Sequence, residues 1–421
     1  MTAVHTRWLL RDAVIFDATD GALRGGHESV LVEDGRIAWV GPDGDAPYAD
    51  LVVDARGRTV LPGLINAHVH LANDGAADLA AQVRDDSTAT AAYRAAANAL
   101  ITLDAGITTV KDCGAADNVV IDLARAVEKG VVAGPRILAA GRVITMTGGH
   151  GHFMGVEADG VDAVRRAVRG QLKAGAAFIK AMATGGVLTS GVRPTQTAFL
   201  REELAAIVEE AHHAGRRVST HAIGRDGIEN AILAGVDTIE HGFHLDSELF
   251  ELAIERGTYL VPTLSAVHGI VAESKNSPIP AWIVDKAQEE YARSTAMFRE
   301  AVEAGMKIAA GTDAGTPFNP HDGLVEEMIQ MVQIGLSPAR TLLSATRDGA
   351  ENAGLSDLTG TIEVGKAADI LVVDGDPVSD MTAMRNIVLV AKDGAIHRSS
   401  LEAVPADLAA ADLPALSGVT A

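Results

Sequence analysis

Six times between residues 105 and 305 a helical pattern closes on a small residue or arginine followed by glycine. The pairs are Ala105-Gly106, Ala174-Gly175, Ala214-Gly215, Ala234-Gly235, Arg256-Gly257 and Ala304-Gly305. Glycine just past a helix suits the left-handed cap conformation. After each pair comes a short apolar stretch of strand character: 108–111, 178–181, 217–220, 238–240, 259–261 and 307–310. Adding the stretch that begins at Leu61 and the one at 136–139 brings the number of expected strands to eight. Alternating βα units of that number predict α/β architecture, a (β/α)8 TIM-like barrel over residues 61–355. A doubly wound open sheet is the rival, but no Gly-x-Gly-x-x-Gly loop follows any strand.

The flanks read differently. Residues 1–60 and 356–398 are rich in short strands with polar turns, such as Ser29-Val30-Leu31-Val32 and Ile37-Ala38-Trp39-Val40 around Asp34-Gly35. Asp-Gly between apolar runs favours a tight hairpin turn. The two flanks together predict one small β-sandwich domain assembled from both termini. Residues 399–421 are Ala- and Pro-rich and read as a helix or a loose tail.

Composition narrows the class. The formal net charge of −21 argues against a nucleic-acid or anionic-membrane partner. A single cysteine, Cys113, allows no intrachain disulfide and no zinc site built on cysteines. The N-terminus turns polar at Arg11-Asp12 before an apolar core of signal-peptide length forms, and no apolar run approaches the ~20 residues of a membrane span. The expectation is a cytoplasmic protein.

Chemistry-bearing residues recur where barrel strands end. His68 and His70 lie two apart in Leu64-Ile65-Asn66-Ala67-His68-Val69-His70, so on a strand both imidazoles face one side, with Cα atoms roughly 6.6–6.8 Å apart. Two such rings can converge on one cation, and imidazole suits zinc and its first-row neighbours. Downstream stand Asp112, Lys180, His221, His241 and Asp313, each at the end of an expected strand, where barrels of this kind carry their active residues. Taken singly each has an ordinary explanation: a structural histidine, a helix-capping aspartate, a lysine in a salt bridge to Asp112. Charge buried in a barrel mouth is costly unless paired or bound to metal, and the full set points to a metal site.

The set resembles the signature of the amidohydrolase superfamily: His-x-His on the first strand, Lys on the fourth, His on the fifth and sixth, Asp on the eighth. Here those positions are His68, His70, Lys180, His221, His241 and Asp313. Thr147-Gly148-Gly149-His150-Gly151-His152 and the stretch from Ile179 to Val187 resemble the binuclear metal-dependent dipeptidase branch, with its prolidase-like, arginine-carboxypeptidase-like and ochratoxinase-like members. The resemblance implies two divalent ions, zinc foremost, and Lys180 carboxylated by carbon dioxide to a bridging carbamate. One ion takes His68, His70 and Asp313, the other His221 and His241. It further implies that a metal-bridging hydroxide attacks an amide, with Asp313 moving the proton and His150 bonded to the carbonyl oxygen.

Candidate substrate-binding residues are His150, His152, Arg193 and Arg225. The position two after His221, aromatic in some members of the branch, is Ile223. The loop 184–194 is a candidate wall or lid. The expected partner is a small-molecule substrate, in a homo-oligomer, with no nucleic acid and no membrane. Three functions stay open: hydrolysis of a dipeptide or N-acyl amino acid; hydrolysis of an aryl amide, carbamate or aryl urea; and a non-catalytic assembly role. A one-metal deaminase leaves Lys180 without a task.

Overall fold

The computed structural model describes residues 7–405; residues 1–6 and 406–421, which hold most of the expected C-terminal tail, lie outside it. Two compact units emerge, one formed by residues up to Gly63 together with those from Asp357 onward, the other by Leu64–Ser356.

The first unit is one branched nine-stranded sheet. Its path runs Ala395–Ser399, Ile387–Lys392, Ile370–Val373, Thr59–Pro62, Trp8–Ile15, Glu28–Glu33, Arg36–Pro42. Leu51–Asp54 joins it in parallel to Trp8–Ile15, and Ala403–Pro405 pairs antiparallel with Leu51–Asp54. The Asp34-Gly35 turn forms the expected hairpin because both residues take positive φ, 51° and 79°, matching the twist of the flanking strands. Alternate residues Leu10, Val30, Val32, Ile370 and Val372 meet in the core of this unit.

In the second unit the strands are parallel and alternate with helices. Leu64–Val69, Ile107–Asp112 and Arg136–Ala139 form a three-stranded sheet. A six-stranded sheet runs Val156–Glu157, Ile144–Thr145, Ile179–Met182, Val218–Ala222, Thr238–His241, Tyr259–Val261. Two short strands, Ile144–Thr145 and Val156–Glu157, were not foreseen. The eighth strand, expected at 307–310, is an extended segment with a single bridge, Leu260 to Ile308. Its continuation is held by a side chain instead of a ladder: Asn66 Nδ2 donates to Thr312 Oγ1 at 2.8 Å, and Asn66 Oδ1 accepts from the Thr312 amide at 3.1 Å. Backbone bonds from Ala67 to Ala310 (2.9 Å) and from Asp313 to His68 (2.8 Å) still seat this segment beside the first strand. The repeat glycines do cap helices; Gly175 and Gly235, at φ 108° and 90°, end Val161–Ala174 and Arg225–Ala234. Among the described residues no helix is long and apolar enough to cross a membrane.

Candidate metal centre

Three non-glycine residues take positive φ where strands or extended segments give way to loops: His241 at 72°, Thr263 at 48° and Asp313 at 61°. Such backbone is costly and collects at functional sites. At His241 it has a definite effect. Neighbours on a strand face opposite ways, yet here Glu240 and His241 both reach the same buried cluster.

His68, His70, His150, Lys180, His221, His241 and Asp313 line one cavity. The imidazole pairs His68–His70, His68–His241, His221–His241 and His150–His221 have centroids 5.4, 5.3, 4.6 and 4.4 Å apart. Asp313 Oδ1 sits 3.2 Å from His68 Nε2 and 3.3 Å from His70 Nε2. It forms no hydrogen bond in doing so. Acceptor atoms gathered round a point in this way resemble ligands about a cation.

The far nitrogen of each ring fixes which atom is offered. His70 Nδ1 donates to the Gly114 carbonyl (2.7 Å), leaving Nε2. His221 Nε2 donates to the Gly185 carbonyl (2.8 Å), leaving Nδ1. The Thr263 hydroxyl gives its proton to the Pro262 carbonyl (2.8 Å) and so accepts from His241 Nδ1 (2.7 Å), leaving Nε2. His68 Nδ1 has a carboxylate beside it, Glu240 Oε2 at 2.6 Å, an ion-pair contact that lacks hydrogen-bond alignment. Metal-bound histidines are oriented in this way by their outer partners. Burial holds His150 and His241 down to about 3, and His221 well below its ordinary value, so these rings are neutral and keep a lone pair. Burial pushes the Asp313 carboxyl up, but His68 and His70 outweigh it and keep it anionic.

Lys180 is 1% exposed and its Nζ makes no hydrogen bond. The alternative partner considered from sequence, Asp112, is engaged elsewhere: its carboxylate accepts from the amides of Leu71 (2.7 Å) and Gly114 (2.9 Å). The close carboxylate is Glu240, whose Oε1 lies 3.9 Å from Lys180 Nζ. An ammonium buried without hydrogen bonds is expensive, so the surroundings suit this nitrogen poorly as a simple cation. The residues therefore fit a metal centre. Among the described residues two groups bring ligand atoms within 4.8 Å of one another: His68, His241 and Asp313; and His68, Cys113 and Glu240. The second is the poorer host, because burial keeps the Cys113 thiol protonated and Lys180 stands beside Glu240.

The other sequence candidates lie apart. His152 lines a neighbouring cavity with Arg84 and Trp282. Arg225 gives its guanidinium to Asp246 (2.7 Å), Glu229 (3.0 Å) and Glu248 (2.8 Å), and it does not line the central cavity. Arg193 is exposed and does not line it either. Sequence reasoning passed over Glu240, and also Lys111, buried with Nζ bonded to Ser219 Oγ and Asn352 Oδ1 at 2.8 Å each. Charged residues inside apolar strands were the available signal for both.

Residues 59–398 match the amidohydrolase family. Ochratoxinase of Aspergillus niger is 30% identical over 391 residues, covering 84% of this chain and 79% of that protein. A crystal structure of a Xaa-Pro dipeptidase with methionine bound in its active site superposes with a TM-score of 0.86 at 33% identity, covering 94% of this chain and all of the other. A prolidase complexed with N-methylphosphonate-L-proline gives 0.87 at 31%, over 94% of this chain and all of that one. These neighbours imply a TIM-like barrel for the alternating strands and helices of the second unit, whose described strands form two sheets and do not close into the expected ring. With its imidazole cluster set in that frame, the chain belongs to the amidohydrolase family and is an enzyme that hydrolyses carbon–nitrogen bonds.

Proposed function

We propose that this enzyme cleaves an amide bond flanked by uncharged, apolar groups, with two divalent ions, zinc foremost, as cofactors. The observation that carries this reading is the Lys180 nitrogen, buried without a hydrogen bond in a cavity lined by imidazoles and Asp313. In this reading His68, His70 and Asp313 would hold one ion and His221 and His241 the other, and Lys180, carboxylated by carbon dioxide, would add an anionic ligand. The ions, when bound, supply Lewis acidity that acidifies water and polarises a carbonyl.

The chain's own residues do the rest. Asp313 takes a proton from the attacking water as the new carbon–oxygen bond forms, and returns it to the amine nitrogen as the carbon–nitrogen bond breaks. His150, on the cavity wall, donates a hydrogen bond to the oxygen that gains charge. Met154, Met182, Ile223, Phe243, Val267 and Ile270 supply apolar walls that exclude bulk water.

The lining also bears on the substrate. Among the described residues Lys180 is the sole lysine or arginine on the cavity wall; Arg193 and Arg225 lie outside it. A carboxylate next to the scissile bond finds no arginine there. This favours N-acyl and aryl amides of apolar groups over dipeptides, and admits aryl carbamates and ureas as the second reading. The names of the relatives, ochratoxinase and Xaa-Pro dipeptidase, support amide cleavage in general.

The test uses zinc-loaded protein and a matched pair, N-benzoylphenylalanine and its decarboxylated analogue N-benzoylphenethylamine. Cleavage of the analogue with kcat/KM equal to or above that of the acid supports the reading. Cleavage of the acid alone overturns the substrate class, and cleavage of neither these nor a panel of dipeptides, carbamates and ureas overturns hydrolysis at this site.

A further inference from the structure

The loop 184–194, rich in Gly and Thr, was expected as a wall or lid, but its contacts are those of a fixed shelf beneath two imidazoles. The Gly185 carbonyl receives His221 Nε2 at 2.8 Å. Gly186 packs against the His150 ring so closely that a Cβ there would lie 2.5 Å from Nε2. Thr189, 2% exposed, sets its hydroxyl 2.9 Å from His150 Nδ1. Lys286, on helix Ala281–Ala304, anchors the same loop by donating to the carbonyls of Thr189 (2.7 Å), Val192 (2.6 Å) and Gly186 (3.4 Å).

Proton accounting at Thr189 decides what His150 can do. The hydroxyl has one proton to give and two lone pairs to share. One lone pair is taken by the Gly151 amide at 3.2 Å. If His150 Nδ1 also donated to it, the hydroxyl proton would be left buried without an acceptor, a cost of about 1–3 kcal/mol. Both groups are satisfied when the hydroxyl donates to Nδ1. The neutral ring then carries its proton on Nε2, on a residue that lines the cavity.

We propose that Thr189 is a positioning residue that fixes His150 as an Nε2–H donor toward the substrate oxygen, with Lys286 pinning the loop that carries it. Assigning that donor a use rests on the amide-hydrolase reading above; the tautomer itself does not. Neither side chain hydrogen-bonds a proposed metal ligand, so each can be altered without removing one.

The experiment pairs a spectroscopic readout with a kinetic one, on zinc-loaded full-length protein labelled with 15N-histidine. Resonances of His150 are assigned by their loss in His150→Gln. Nε2–H is expected in the wild type and in Thr189→Ser, which keeps the hydroxyl. Thr189→Val should shift the ring toward Nδ1–H and lower kcat on a cleaved amide about tenfold, the equivalent of one hydrogen bond, with zinc content and KM unchanged. Lys286→Met should show the same changes in smaller degree. An Nδ1–H ring in the wild type, or a Thr189→Val enzyme with wild-type kcat, overturns the proposal. A chain that cleaves no amide fails the functional reading alone, since the nitrogen resonances still report the tautomer.

Discussion

Glu240 Oε2 lies 2.6 Å from His68 Nδ1 as an ion-pair contact without hydrogen-bond alignment, whereas His70, His221 and His241 rest on carbonyls or a hydroxyl. Burial alone would raise the Glu240 carboxyl, but Lys180, so long as it is an uncarboxylated ammonium, and His68 outweigh it and hold it below the usual carboxylate range. An anionic outer partner makes His68 the more basic ligand. Glu240→Gln keeps an acceptor in place and removes the charge. It should weaken one of two bound metals by about 10–100-fold and leave the other unchanged, as read by chelator competition. Unchanged affinity for both would make Glu240 only a counter-ion to Lys180.

Lys180 separates two chemistries. As a carbamate it is an anionic ligand, and Lys180→Ala and Lys180→Arg should both fall from two bound metals toward one or none. Short carboxylic acids added to Lys180→Ala should restore part of the rate. An active Lys180→Arg enzyme holding two metals would show that the group works as a plain cation.

Asp313→Asn can still coordinate through its amide oxygen but cannot carry a proton. Turnover should drop by roughly 10²–10⁴, with the fold and at least one metal retained. A loss of only a few-fold would place proton transfer on another group.

Gly186→Ala puts a methyl 2.5 Å from the His150 ring. Either the ring or the loop must shift, so kcat should fall at least about tenfold while metal content stays constant. Wild-type kcat would mean the ring tolerates displacement and is not a directed donor.

Away from the site, Glu210 joins helices Val161–Ala174 and Arg201–His213 through Arg165 (2.8 Å) and Arg169 (2.6 Å). Hydrogen bonds from Arg169, then Arg165, lower its pKa from 4.5 to about 2. The unfolded chain therefore takes up this proton at higher pH than the folded one. The stabilisation is present above pH 4.5 and is lost as pH falls toward 2. Arg169 is 65% exposed, so solvent screening keeps the effect small. Glu210→Gln should melt slightly below wild type at pH 7, and thermal scans should show the gap narrowing below pH 4.5. A gap independent of pH would place the effect in packing.

Patterns of short range were legible in the sequence alone. Apolar stretches after the Ala-Gly and Arg-Gly pairs located five strands, and those at Leu61 and 136–139 two more, because helix capping and strand hydrophobicity are local. His68 and His70 could be placed on one face because strand periodicity is local too. Lys180, His221, His241 and Asp313 were recognisable by order and spacing, and all of them do line one cavity. What the sequence could not give depends on backbone angles and on atoms distant along the chain. Period-two reasoning sends Glu240 and His241 to opposite faces, and a φ of 72° at His241 undoes that rule. Asn66 holding Thr312 across 246 positions replaces a strand ladder that local propensity predicted. Arg225 looked free to meet a substrate until Asp246, Glu229 and Glu248 were found around it. Thr189 in a Gly-rich loop carries no mark of function until folding sets its hydroxyl against His150. Residue type determines which chemistry the chain can perform; only tertiary contact decides which proton, and which lone pair, each ring presents.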